Sequence, residues 1–150
     1  MSKILFDPRE YPDHHDAELV LRLYELRRDP AMRESRHAIA TKFLPRTFDE
    51  LMLVARRDHP LNAAFRQTST YWEMTYSMAR YGIIHPDFLM ESNGEGMLLY
   101  AKVAPYLDEY RRATTPRAFV NAEWVATHSE LGREVFARMR DQVRQLVAAA

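Results

Sequence analysis

A chain of 150 residues that is 47% hydrophobic and 28% charged is long enough to bury a core and too apolar to remain disordered. Its 21 basic and 21 acidic residues cancel, 12 against 12 in residues 1–75 and 9 against 9 in residues 76–150, so neither half is basic enough to follow a phosphate backbone and no nucleic-acid partner is expected. With no cysteine, disulfides, thiolate catalysis and thiolate zinc sites are excluded together.

The opening "MSKILFDPREYPDHHD" holds one apolar run, Ile4 to Phe6, too short for a signal-peptide core, and no stretch approaches the ~18 apolar residues that cross a bilayer. A cytoplasmic protein without a membrane contact is expected. Only four glycines occur, helical spacing prevails, and the prolines supply the punctuation. Asp29-Pro30, His59-Pro60, His85-Pro86 and Thr115-Pro116 each read as a cap followed by a first helical residue, and Thr47 with Glu50 forms a capping box. Helices are predicted over 14–28, 30–44, 48–58, 60–81, 86–92, 96–112, 116–127 and 130–148, with Pro105 kinking or splitting the sixth.

The first helix starts within "DPREYPDHHDAE", residues 7–18. His14, His15 and Glu18 are candidate metal ligands there, with His14 and Glu18 four residues apart, and Glu34 with His37 on the next helix offers a Glu-x-x-His pair to complete the set. The competing reading is a solvated helix start capped by Asp13.

The predicted central helix, 60–81, carries one apolar stripe of Leu61, Phe65, Trp72, Tyr76 and Ala79 and a second of Tyr71, Met74, Met78 and Tyr81. Its polar residues Arg66, Thr70, Glu73, Ser77 and Arg80 are confined to a narrow ridge, and Gly82 is placed as a left-handed stop. Such a helix is contacted on two sides. Its aromatic and methionine residues serve as core, as a partner surface, or as the wall of a ligand cavity formed by Phe65, Trp72, Tyr76 and Tyr100.

"SNGEG", residues 92–96, lacks the lysine of a phosphate loop and reads as a flexible interhelical turn. Arg27-Arg28, Arg56-Arg57 and Arg111-Arg112 each fall in the last turn of a predicted helix, where the dipole favours cations. Glu123, beside Trp124, is a carboxylate whose pKa rises if it is buried, unless Arg111 or Arg112 neutralises it. In the last helix Gly132, Phe136, Met139, Val143, Leu146 and Ala150 recur at alternating spacings of four and three. That seam packs on its own bundle or on another protomer, with Phe136, Met139, Val143 and Leu146 as the candidate oligomer interface.

From Tyr71 to Thr127, "YWEMTYSMARYGII", "HPDFLM", a glycine-bearing turn, "LLYAKVAPYLDEYRR" and "NAEWVA" follow in an order that resembles a bacterial helical family, domain of unknown function 4760. Trp72, Glu73, Gly82, Ile83, Pro105, Arg111 and Glu123 occupy the positions of its pattern, with Tyr71-Trp72 in place of a Phe pair. Residues 1–60 lie outside the alignment. The resemblance implies an all-helical fold and carries over no catalytic residue.

The sequence therefore predicts one all-α domain over 1–150, a compact bundle of seven or eight helices. A protein-interaction or homo-oligomerising module is the expected function, with a small-molecule binder or a metal-dependent enzyme as alternatives. No nucleophile elbow, metalloprotease helix or dinucleotide fingerprint occurs, so no catalytic residue and no cofactor is assigned.

Overall fold

Five helices begin where a side chain close in sequence satisfies the first free amides. The computed structural model describes residues 10–150. In α1 (His14–Arg27) the Asp13 carboxylate accepts from the amides of His15 and Asp16, and Asp16 accepts from the Asp13 amide in return. Asp29 caps α2 (Pro30–Lys42) through Ala31 and Met32. Thr47 caps α3 (Phe48–Val54), although Glu50 accepts from Arg46 rather than Thr47, so only half of the expected box forms. His85 Nδ1 accepts from the Phe88 amide at the start of α5 (Pro86–Ser92), and Ser129 accepts from Gly132 at the start of α9 (Glu130–Ala149).

Two helices depart from their predicted starts. The ring of His59 accepts from Leu61 at 3.0 Å, which holds 59–61 as a turn, and α4 (Asn62–Arg80) begins two residues after Pro60. Residues 116–119 are also a turn, closed by Phe119 in the left-handed conformation at φ 56°, so α8 (Val120–His128) starts four residues after Pro116. The end of α4 follows expectation. Gly82, at φ 80°, donates to the Ala79 carbonyl and Ile83 donates to that of Met78, the paired bonds of a glycine-stopped helix.

Pro105 divides the sixth predicted helix into α6 (Gly96–Val103), a 3-10 turn at Ala104–Tyr106 and α7 (Leu107–Ala113). The described residues thus form nine α-helices, or eight with α6 and α7 taken as one bent helix, and no strand. None is long and apolar enough to cross a membrane.

Helix α4 is the centre, packed against α2 on one side and α8 on the other and touching α5 and α6, while α9 lies across α5, α6 and α8. Its first stripe is core: Phe65, Trp72, Tyr76 and Ala79 are all buried. The second stripe is a rim, with Tyr71 half-buried and Met74 and Tyr81 exposed.

Several helix ends are satisfied by side chains distant in sequence. Asp16 accepts from the His85 amide before α5, and Asp87 accepts from Ser129 and Leu131 at the start of α9. Glu73 accepts from Asn121 and Ala122 at the start of α8. Asn62 donates to the Val54 carbonyl at the end of α3, and Tyr76 donates to that of Asn93 after α5.

Lys102 closes the end of α2 in the same way, donating to the carbonyls of Ile39 at 2.9 Å and Ala40 at 3.3 Å from a side chain almost wholly removed from water. Desolvation lowers its pKa from 10.5 to about 8. Between those values the unfolded chain binds more protons than the folded one, so stability rises with pH. Urea titrations should show a gain of about 2 kcal/mol from about pH 7.5 to about pH 9.5. Burial raises the pKa of Tyr76 and Tyr100, which reverses the trend above ~10. Lys102→Met should abolish the alkaline gain; a gain that survives would assign it to other groups.

Candidate functional site

The proposed metal ligands do not converge. His14, His15 and Glu18 are exposed on α1, Glu34 and His37 are exposed on α2, and no group of three or more His, Asp or Glu among the described residues is placed to hold an ion. The two histidine rings lie 4.1 Å apart because they are sequential, and Asp16, next in sequence, turns inward to the His85 amide.

The aromatic stripe is occupied by its own neighbours. Phe65 packs on Phe43 at 5.3 Å, Trp72 stacks on Tyr76 at 5.7 Å, and Tyr100 lies 5.1 Å from Phe136. A cleft beside Trp72, of about 20 Å³, has room for about one water. These four residues are packed as core.

The 92–96 turn is anchored rather than loose. Asn93 is fully buried, accepting from Arg27 through its side chain and from Tyr76 through its carbonyl, and Arg27 also faces Trp72 at 5.6 Å. Arg27 is thus buried, unlike Arg28 beside it, and packing with hydrogen bonds rather than a solvated dipole contact explains its place. Arg56 and Arg57 lie beyond the end of α3.

Two surfaces remain. The first follows the last helix. Phe136 and Met139 pack against the core and Val143 is buried, but Leu146, next on the seam, is 44% exposed. Along α9 runs a groove of about 530 Å³ lined by Ala101, Ala104, Pro105 and Tyr106 on one wall and by Phe136, Arg140, Val143, Arg144 and Val147 on the other. Asp141 pairs with both arginines, at 3.3 and 3.9 Å.

The second surface is a pocket of about 380 Å³ between α4, the end of α7 and the 114–121 segment, with charged and hydroxyl side chains set among apolar ones. Glu73 stands in its wall, its Oε1 accepting from the Ala122 amide at 2.8 Å and its Oε2 from the amide and side chain of Asn121 at 3.1 and 3.2 Å. Burial raises its pKa, and these donors together with Arg111 offset part of the rise. Arg111 braces the segment: it pairs with Glu123 at 3.2 Å and donates to the Ala118 carbonyl at 2.9 Å. Glu123 is part-exposed and held in that ion pair, so the desolvated carboxylate here is Glu73, on the polar ridge of the central helix. Arg80, on the same ridge, reaches Asn121 Oδ1 at 3.3 Å. The signal available beforehand was the resemblance, which singled out Glu73, Arg111 and Glu123 together.

No curated protein and no solved structure matches the chain significantly. The family model described as Domain of unknown function (DUF4760) matches residues 12–129, which span α1 to α8 and so extend well ahead of the 71–127 motifs, and the chain belongs to that family.

Proposed function

We propose that this chain is a homo-oligomerising interaction module that pairs through the last helix. The observation that supports this reading is the seam of α9, which keeps its spacing after its cover ends: Val143 is buried and Leu146, one step on, is 44% exposed. Two copies of α9 set antiparallel about a two-fold axis bring the exposed Leu146 of each copy against the other's last turns, leaving Val143 in its own core, and such a contact is self-complementary as a closed dimer needs. Both signs of charge flank this stretch, at Arg140, Asp141 and Arg144, so a second copy meets no single-sign field.

Analytical ultracentrifugation should show a dimer at micromolar concentration. Leu146→Glu should return it to monomer with little change in melting temperature, because an exposed leucine contributes little to the monomer's own core. A monomer across the accessible concentration range overturns the reading, as does a dimer indifferent to that substitution.

A further inference from the structure

The pocket under the 114–121 segment contains three groups with capacity left over after the fold has used them. Glu73 accepts one hydrogen bond on Oε1 and two on Oε2, whereas a carboxylate offers about four lone-pair sites. The Tyr110 hydroxyl, on a half-buried ring packed 6.0 Å from Phe119, has no hydrogen-bond partner among the described residues. Arg117 is exposed, and its guanidinium likewise has no partner among them. The rest of the lining mixes hydroxyls, Ser69 and Thr70 among them, with the apolar side chains of Ala118, Phe119 and Val120.

A carboxylate and a guanidinium on the walls of one cavity, with a tyrosine hydroxyl able to donate and accept, match a ligand that carries both charges. We propose that this pocket binds a small zwitterion of the α-amino acid class, its ammonium group on Glu73 and its carboxylate on Arg117, with Tyr110 bonding to either end. Arg117 presents paired N–H donors to a carboxylate, the geometry that a lysine lacks. The volume lies within the range of sites for single small molecules. An anion without an ammonium group meets Glu73 unfavourably, and an amine without a carboxylate leaves Arg117 unused. The raised pKa of Glu73 is consistent with a carboxylate whose charge the protein only partly compensates.

The test is calorimetric titration of the full chain with each of the twenty standard α-amino acids, followed by the matched carboxylic acid and the matched amine of any that bind. At least one amino acid should bind, and removing either charge should weaken it by about tenfold or more, the size of one charged hydrogen bond. Arg117→Ala and Tyr110→Phe should each weaken binding while leaving the melting temperature near that of the parent, since neither side chain closes a bond within the fold. Glu73→Gln is the less decisive variant because Glu73 also holds the start of α8. No binding by any amino acid at millimolar concentration overturns the proposal. So does binding that Arg117→Ala and Tyr110→Phe leave unchanged, or equal binding of the single-charge analogues.

Discussion

Phe119→Ala is expected to remove about 3 to 5 kcal/mol from the unfolding free energy, the largest loss of any single substitution considered for this chain. The ring is buried and fills the space between three others, with centroids 6.4 Å from Phe65, 6.3 Å from Tyr100 and 6.0 Å from Tyr110. Alanine deletes that packing and gains nothing in return, because a left-handed backbone at φ 56° costs any residue with a Cβ roughly 1 to 2 kcal/mol, before and after the change. Glycine lifts the backbone penalty and leaves a cavity at least as large. Phe119→Gly should therefore unfold at a somewhat higher denaturant concentration than Phe119→Ala, with both well below the parent. A loss below ~1 kcal/mol in both variants would mean that the ring does not anchor the loop to the core.

Gly132→Ala should also destabilise, by about 1 to 3 kcal/mol, which reverses the usual sign of the substitution. Inside a helix the exchange normally gains about 1 kcal/mol. Here the added methyl group would drive into the Val125 carbonyl oxygen and come within 3.0 Å of both Ser129 Cβ and Val125 Cγ1. The carbonyl is backbone, and α8 and α9 are joined through Ser129 alone, so the clash is relieved only by separating two helices. A fall in the urea midpoint checks the direction; a rise would show that the helix junction yields easily.

What could be read beforehand was whatever depends on neighbours in sequence. Asp13, Asp29, Thr47 and His85 mark helix starts because each cap acts on amides two or three residues away. Gly82 was legible for the same reason, as was the splitting of the sixth helix by Pro105. Pro60 and Pro116 misled because a proline-led first turn is equally compatible with a turn that stops. At Pro116 the helix waits until Val120, where Glu73 supplies the cap from 47 residues upstream of the start, across the bundle.

The candidate surfaces divide along the same line. The α9 seam shows in its spacing, but where its cover stops depends on the length of the elements packed against it. Glu73 could not be found from periodicity, because a carboxylate on a polar ridge reads as solvated until another helix end is brought to it. The metal candidates show the complementary limit: spacing aligns His14 and Glu18 on one helix, and among the described residues no third ligand joins them.

The side chains that close distant helix ends have a consequence for how the molecule comes apart. Helices α3, α5 and α7 have seven residues each, α6 eight and α8 nine, below the ~12 to 15 at which an isolated helix becomes even marginally stable in water. Their ends are tied by Asn62, Asp16, Tyr76 and Glu73 only while the bundle is assembled. In these short helices, helix content and side-chain packing therefore have no separate thresholds. Once the bundle opens, the short helices lose these terminal bonds in the same event, and any helix that persists is confined to the longer α1, α2, α4 and α9.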